Sequence, residues 1–293
     1  MSNKDIFLAI LITFIWGINF SVIKLGLNSL DPFMITGLRF FLVAIPLVFF
    51  IKKPDVSIFY LALYGILFGV GLWGMVTLGI QYGISAGLAS LLLQASVFFT
   101  ILLGAIVLKE KIDISKKIGF IFGLVGVGII FGVTDGTVTY IGAILVLIGA
   151  IFWSIANIVV KISKTNDMFA FIIWSSLFSP LPLFILSYFT QDANFFSDFI
   201  VSLDKMAIFS ILFQAYPTTL FGYWIWNSLL KKYPASSIAP ISLLVPFFGL
   251  LGSYSIFNES IESMKIIACV FIVLGLAINI YGEKLYSNFF KRS

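Results

Sequence analysis

The stretch WGINFSVIK, Trp16 to Lys24, recurs in altered form as WSIANIVVK, Trp153 to Lys161. In both copies a lysine follows the tryptophan by eight residues and an asparagine follows it by three or four. The segments that lead up to Glu110 and Glu259 also match each other, with a Phe-Phe pair at the same place in each. The chain is therefore predicted to consist of two related halves, residues 1–134 and 135–293.

The composition is that of a membrane protein. Of the 293 residues 60% are hydrophobic and only 11% are charged, whereas about a quarter of the residues in a soluble domain are charged. A bilayer core needs roughly 20 apolar residues per helix, and no run shows the alternation typical of barrel strands. We predict an all-α membrane protein with ten transmembrane helices: Ile6 to Leu27, Pro32 to Ile51, Ser57 to Ile80, Ala86 to Leu108, Lys117 to Gly132, Tyr140 to Val160, Phe169 to Phe189, Met206 to Leu230, Ala235 to Phe257 and Lys265 to Tyr281.

The basic residues predict how these helices are oriented. Lys and Arg concentrate in cytoplasmic loops, and with the N-terminus inside, thirteen basic residues lie in cytoplasmic segments while the outer loops hold only Lys205 and Lys265. Both termini are predicted to be cytoplasmic, in the inner (plasma) membrane of the cell. This bias explains the net charge of +5 without a nucleic-acid partner. Each half has five helices, so the second half enters the membrane from the opposite side, an inverted repeat typical of transporters with a central site.

The residues that are missing exclude several classes of function. The chain has no histidine and one cysteine, Cys269, which excludes Ser-His-Asp and Cys-His catalytic sites, His/Cys zinc sites and an internal disulfide. We expect no enzyme activity, no metal and no cofactor. The Asp and Glu residues fall in loops or at helix ends, so no intramembrane carboxylate is expected to carry protons. Facilitated export or exchange is therefore the predicted form of transport.

Polar and aromatic residues in the middle of the spans are the candidates for substrate binding. Lipid cannot satisfy an amide, so Asn19, Asn157 and Gln94 must contact either protein or a wet cavity. Inter-helix hydrogen bonds are the alternative for the amides, and packing is the alternative for the aromatic residues. Prolines at mid-span can bend a helix and open a cavity. The predicted substrate-binding set is Trp16, Asn19, Arg39, Trp73, Gln94, Trp153, Asn157, Tyr216, Tyr223 and Pro246.

Three basic residues lie inside spans or at their ends. Arg39 stands about two turns inside the second helix, where a charge is costly. The cost can be offset by helix-end carbonyls, by Asp31 as an ion pair, or by a substrate carboxylate, and a structural anchor is the favoured interpretation. Lys24 and Lys161 lie near helix ends and are expected to extend to the lipid headgroups, with attraction of anionic groups as the alternative. Glycines four residues apart, such as Gly119 and Gly123, predict close helix packing of the fifth helix, with the tenth helix or another copy.

Several motifs resemble a known family. WGINFSVIKLG with DPFMITGLRF in the first half, and APISLLVPFFGLLGS with NE in the second, are similar to the EamA family of the drug/metabolite transporter superfamily. The resemblance implies ten helices in two inverted repeats and outward transport of a small amphipathic metabolite. Within that family the run GLASLLLQASVFFTILLGA is most similar to exporters of cysteine and O-acetylserine in bacterial inner membranes.

These observations lead to one favoured function and two alternatives. We expect an exporter of small amino-acid-like metabolites, of the cysteine and O-acetylserine type, that works by alternating access. A lipid flippase, or an exchanger of anionic or nucleotide-bearing metabolites, is the alternative. The expected partners are a small-molecule substrate and the lipid bilayer, with no obligatory protein partner.

Overall fold

The computed structural model describes residues 1–190 and 203–290, and within them the chain forms helices and no strand. Short polar side chains begin most of the helices, because their oxygen atoms accept hydrogen bonds from free backbone N–H groups of the first turn. The helices are α1 (Asn3–Gly26), α2 (Pro32–Ala44), α3 (Ile58–Gln81), α4 (Ala86–Val107), α5 (Ile114–Phe131), α6 (Tyr140–Ser163), α7 (Met168–Thr190), α8 (205–232), α9 (Pro240–Phe257) and α10 (Ser263–Phe290). The N-cap residues with such a bond are Ser2, Asp31, Ser57, Ser85, Asp113, Thr139, Asp167 and Asp204.

Nine helices in the described part of the chain are long and apolar enough to cross a membrane, so the chain is a multi-pass membrane protein. The helix outside those nine is α8, which is helical along its whole length but richer in polar and aromatic residues. The prediction of ten spans therefore stays a prediction, as does the division into two inverted halves at residue 134.

Four of the helices are interrupted near their middles. α3 is π-helical over Ile66–Gly74 and α8 over Gln214–Phe221, around Pro217, which has no backbone N–H to donate. α4 breaks at Gln94, and α7 tightens to a 3₁₀ turn over Ser176–Phe178. Such turns move side chains out of the regular helical register and are frequent at functional sites.

Contacts between chain segments define two ends of the helix bundle. Lys24, near the end of α1, forms an ion pair with Glu259, just after α9. The start of α4 lies at this Lys24 end, because the N–H of Gly87 donates to the Ser253 hydroxyl, which in turn donates to Glu259. α6 also begins there, since the N–H of Ser85 donates to the carbonyl of Thr137.

The opposite end, which we call the Lys161 end, is where α4 and α6 finish. Lys161 of α6 forms an ion pair there with Glu110, which follows α4. α1 begins at this end and α8 finishes at it, because Asp5 and Lys232 form an ion pair with 2.7 Å between Oδ2 and Nζ.

Glycines allow the closest helix contacts. A Cβ atom on Gly17 of α1 would lie 2.5 Å from the Cβ of Phe248 in α9, and one on Gly249 of α9 would lie 2.0 Å from the hydroxyl of Ser90 in α4. α1, α9 and α4 are therefore in backbone-level contact. The predicted glycine interface of the fifth helix with the tenth is confirmed: a Cβ on Gly119 would lie 2.5 Å from the carbonyl oxygen of Gly275.

Candidate functional site

A cavity of about 430 Å³ lies between the helices, bordered by α1, α3, α4, α6, α7, α8 and α9. Its lining is mostly aromatic and apolar, with a few hydroxyl and amide groups, which is the usual character of a small-molecule site. None of its lining residues is acidic or basic. They are Trp16, Phe20, Tyr64, Trp73, Ser90, Leu93, Gln94, Val97, Trp153, Asn157, Val160, Met168, Thr218, Tyr223, Trp226, Asn227, Leu230, Ser242 and Val245.

The cavity reaches the Lys161 end of the bundle. Val160 and Leu230 line it within three residues of the last residues of α6 and α8, and Met168 lines it at the first residue of α7. Asn157, which also lines the cavity, is exposed. The side chains of Lys161 and Glu110 are 59% and 47% exposed, which is typical of an end open to solvent.

The Lys24 end is closed by three helices. The Gly87 N–H of α4 donates to Ser253 of α9 over 3.2 Å, and Ser253 donates to Glu259. Glu259 Oε1 lies 2.6 Å from Lys24 Nζ of α1, and the Glu259 side chain is only 12% exposed. We call Lys24, Gly87, Ser253 and Glu259 the closing cluster. It fastens α1, α4 and α9 together, and none of its four residues is among those that line the cavity.

Lys24 and Lys161, which were expected to extend to the lipid headgroups, both pair with carboxylates in the structure. Each lysine forms an ion pair with a glutamate, Lys24 with Glu259 and Lys161 with Glu110. In each pair the lysine comes from one of the two predicted halves and the glutamate from the other. A glutamate at 2.6 Å satisfies the Lys24 ammonium directly, and the Phe257 ring covers it at 4.4 Å.

An aromatic group forms one wall of the cavity. Trp16 donates its indole N–H to the carbonyl of Thr218 over 3.0 Å, which fixes the ring in place. Its ring centroid lies 5.4 Å from that of Tyr223 and 5.1 Å from that of Trp226. Trp73 and Tyr223 both contact the ring of Phe68, with centroids 6.5 and 5.9 Å apart. Such a wall suits the apolar part of an amphipathic ligand, and the faces of its rings can also bind a cation.

The structure separates the predicted amides. Gln94 lines the cavity at the break in α4, and Asn157 lines it from α6, where its Nδ2 donates to Thr100 over 3.3 Å. Asn19 is fully buried outside the lining, and its Oδ1 accepts from the Thr218 hydroxyl over 3.0 Å. Asn19 thus makes the inter-helix hydrogen bond that was the alternative to a cavity position.

The other predicted site residues also divide into two groups. Trp16, Trp73, Trp153 and Tyr223 line the cavity together with the two amides just described. Tyr216 instead lies in a shallow apolar groove of about 570 Å³ on the outside of the bundle, between α1, α7 and α8. Pro246 is buried in α9 away from the cavity lining, and Arg39 lies behind the cavity wall.

Arg39 is fully buried and held by α8 and α3. Its Nε and Nη2 donate to the Thr219 hydroxyl over 3.1 and 2.9 Å, and its guanidinium carbon lies 4.1 Å from the Trp73 ring centroid. Nη1 has no hydrogen-bond partner among the residues that the structure describes. The two residues that hold Arg39 both lie in π-helical turns, Trp73 in α3 and Thr219 in α8.

An ion pair with Asp31, one of the three candidates for offsetting the Arg39 charge, is not among the ion pairs of the described residues. Asp31 caps α2 by accepting from the N–H groups of Phe33 and Met34, and its second oxygen accepts from Ser187 over 2.8 Å. Burial raises the pKa of the Asp31 carboxyl above its ordinary value, and these hydrogen bonds only partly oppose the shift. A guanidinium partner would act in the opposite direction.

Several lining residues were missing from the sequence-based set. Tyr64, Ser90 and Asn227 line the cavity. The sequence could have identified Asn227, because it is an amide within the span predicted for α8. In the structure its Nδ2 is buried, with no hydrogen-bond partner in the described part of the chain. Ser90 and Tyr64 could not have been identified in this way, since hydroxyl groups are common in membrane helices and can bond to their own backbone.

The model of the EamA-like transporter family matches residues 3–132 and 140–281. The chain is 35% identical over 291 residues to a protein of Salmonella typhimurium (strain LT2) named "Probable amino-acid metabolite efflux pump", covering 97% of each chain. A protein of Escherichia coli (strain K12) with the same name is also 35% identical, over 288 residues and 96% of each chain. A Bacillus subtilis (strain 168) protein named "Uncharacterized transporter YoaV" is 27% identical, over 92% of this chain and 94% of the other.

A protein of known crystal structure has the same fold. It matches with a TM-score of 0.65 at 14% sequence identity and covers 95% of this chain and 97% of its own. At that level of identity the likeness concerns the fold alone.

Proposed function

This chain belongs to the EamA-like transporter family, and we propose that it exports small amino-acid metabolites across the inner membrane by alternating access. Two relatives, each 35% identical to this chain over nearly the whole length of both proteins, are named "Probable amino-acid metabolite efflux pump". The mostly aromatic cavity with a few amides suits a small amphipathic solute.

The observation that carries the proposal is the relation between α4 and α9. At the Lys24 end the two helices touch, through Gly87 and Ser253 and through Ser90 and Gly249. Further along, Val97 of α4 and Val245 of α9 line the cavity that separates them. Two helices that meet at one end and part at the other form a V, and tilting them closes one end as it opens the other.

The Lys161 end is cytoplasmic in this proposal, as the distribution of basic residues predicts. The structure then corresponds to an inward-open state in which the solute enters past Val160, Met168 and Leu230. Opening outward requires the closing cluster to separate, with Ser253 leaving Gly87, while Val97 and Val245 approach each other. The solute leaves when α4 and α9 have exchanged their open and closed ends.

The lining also bears on energy coupling. No carboxylate lines the cavity among the residues that the structure describes, so protonation of an acidic side chain in the site has no carrier there. Export down the solute's own gradient, or exchange of one solute for another, requires no such group.

The test is transport by the purified protein in proteoliposomes. Efflux of radiolabelled cysteine, O-acetylserine, threonine and aromatic amino acids is compared with that from liposomes holding the Gln94→Ala variant. Efflux of at least one solute, reduced in the variant, supports the proposal. Scrambling of labelled lipid without solute efflux would instead indicate a flippase. Uphill solute flux driven by a proton gradient would overturn the proposal that export follows the solute's own gradient or an exchange.

A further inference from the structure

We propose that Arg39 is the recognition site for the carboxylate of the transported solute, and that the Trp73 indole is the movable side chain that covers it. The inference rests on the proposed function, because it names the chemical class of solute taken by the same cavity. The solute must carry a carboxylate, and its ester or amide must be a poor substrate.

The first argument is that Arg39 is a buried charge without a counter-ion. Its side chain is fully buried, and its hydrogen bonds go to one neutral acceptor, the Thr219 hydroxyl. None of the ion pairs among the described residues includes it. A buried guanidinium usually forms two parallel hydrogen bonds to a carboxylate, and here Nη1 lacks any partner.

The second argument is that three buried donors, on Arg39 and on two other residues, lack an acceptor. Trp73 Nε1 and Asn19 Nδ2 are buried without an acceptor, as is Arg39 Nη1. Trp73 covers the Arg39 guanidinium, and Arg39 and Asn19 bond to the consecutive α8 residues Thr219 and Thr218. Unpaired buried donors are costly, and a ligand that offers only acceptors removes that cost. A carboxylate is such a ligand.

The third argument is access. Trp73 and Thr218 line the cavity, so Arg39 is separated from it by one side chain. The guanidinium carbon lies 4.1 Å from the Trp73 ring centroid, a cation–π contact that holds the charge while no anion is bound. Trp73 lies in the π-helical turn of α3, between Gly71 and Gly74. A rotation of the Trp73 ring would expose both Nη1 of Arg39 and Nε1 of Trp73 to the cavity.

The rest of the cavity determines what else the solute can be. With no acidic residue in the lining, a solute ammonium group has the aromatic faces of Trp16, Tyr223 and Trp226 and the amide oxygens of Gln94 and Asn157 as partners. A zwitterionic amino acid or an acylated derivative fits both regions. A nucleotide needs several cations, and here Arg39, behind the cavity wall, supplies one.

The experiment measures the preference for an acid over its ester. Efflux and detergent-phase binding are measured for O-acetylserine and for its methyl ester, on the wild type and on Arg39→Met, Trp73→Phe and Trp153→Phe. A charge-assisted hydrogen bond in a buried site corresponds to about a tenfold preference or more. We expect the wild type to prefer the acid by that factor and Arg39→Met to lose the preference.

The variants separate recognition from structural support. Trp73→Phe keeps a ring over the guanidinium but loses the indole N–H, so the preference is expected to fall by severalfold. Trp153→Phe, on a lining residue of α6, is expected to change acid and ester alike and to keep their ratio. Equal handling of acid and ester by the wild type, or an unchanged ratio in Arg39→Met, would overturn the proposal.

The same measurements keep the two proposals apart. Efflux of both acid and ester at similar rates would leave the exporter in place and remove the carboxylate site. Selective binding of the acid without any efflux would leave the carboxylate site in place and remove the exporter. If Arg39→Met does not fold, Arg39→Lys replaces it, because a single ammonium keeps the charge but loses the planar fork, and it is expected to weaken the preference.

Discussion

The backbone N–H of Gly87 in α4 donates to the hydroxyl of Ser253 in α9 over 3.2 Å, and this bond joins the two helices at the end of the bundle where the cavity stops. Ser253 also donates to Glu259, which pairs with Lys24 of α1. One serine thus connects three helices at the closed end.

Replacing Ser253 with Ala should open that end more often. The variant loses the acceptor for Gly87 and a donor to Glu259, each worth roughly 1 kcal/mol, so the outward-open population is expected to rise about fivefold or more. The measurement is labelling of Leu93→Cys, a cavity residue, by an impermeant maleimide in right-side-out vesicles that carry Cys269→Ser. Ser228→Ala, on an exposed serine of α8, is the matched control, and equal labelling of both variants would contradict the prediction.

A disulfide should trap the opposite closure. Val97 of α4 and Val245 of α9 both line the cavity, so the double variant Val97→Cys, Val245→Cys on Cys269→Ser is expected to cross-link only when the Lys161 end closes. Oxidation should stop efflux and reduction should restore it. Cross-linking that leaves efflux unchanged would show that α4 and α9 do not alternate.

The three amides should respond differently to truncation. Gln94→Ala and Asn157→Ala change cavity groups and are expected to raise KM severalfold while the melting temperature changes little. Asn19→Ala removes the acceptor for the buried Thr218 hydroxyl and is expected to cost about 1–3 kcal/mol of stability. Efflux kinetics and thermal melting in detergent distinguish these outcomes, and a KM effect confined to Asn19→Ala would contradict the placement.

The contact between α1 and α9 should not tolerate a methyl group at Gly17. A Cβ there would lie 2.5 Å from the Cβ of Phe248 and 2.7 Å from the carbonyl oxygen of Val245, so Gly17→Ala is expected to destabilise the protein by about 1–3 kcal/mol. Gly128→Ala is the control, because a Cβ on Gly128 meets nothing within 4 Å. Thermal melting should drop for the first variant only.

Asp135 Oδ2 lies 2.6 Å from Lys265 Nζ, and this ion pair should make stability depend on pH. Burial raises the pKa of Asp135, but hydrogen bonds from Lys265 and Thr137 outweigh it, and the net pKa lies below its ordinary value of 3.8. A lowered folded-state pKa means that the stabilisation is complete above about pH 4 and is lost as the pH falls through the folded value. Asp135→Asn should therefore melt lower than the wild type at pH 7, and the difference should shrink below pH 4. A difference independent of pH would contradict this.

The sequence predicts the helical membrane fold and part of the site. Long apolar runs predict transmembrane helices directly, because a chain can cross lipid in few other structures. Trp16, Trp73 and Gln94, chosen as large aromatic rings and an amide at mid-span, line the cavity, and their role in substrate binding stays a prediction. Asn19 was expected there on the same ground, but the Thr218 hydroxyl of another helix satisfies it.

The partners of charged residues were the part that sequence reasoning missed. The repeat in the sequence aligns Lys24 with Lys161 and Glu110 with Glu259. This alignment relates residues of the same type and does not say which lysine pairs with which glutamate. That choice depends on how the predicted halves pack. Tyr216 shows the same limit, since the wide turn at Pro217 decides which side of α8 faces lipid.

The two π-helical turns, Ile66–Gly74 in α3 and Gln214–Phe221 in α8, set the angular phase of everything that follows them. A residue advances an α-helix by about 100°, so deleting one residue within the turn of α8 would rotate Tyr223, Trp226 and Asn227 away from the cavity as a group. The shape of the cavity lining thus depends on helix phase as well as on side-chain chemistry, and a change in chain length at either turn would rearrange the lining without substituting any residue in it.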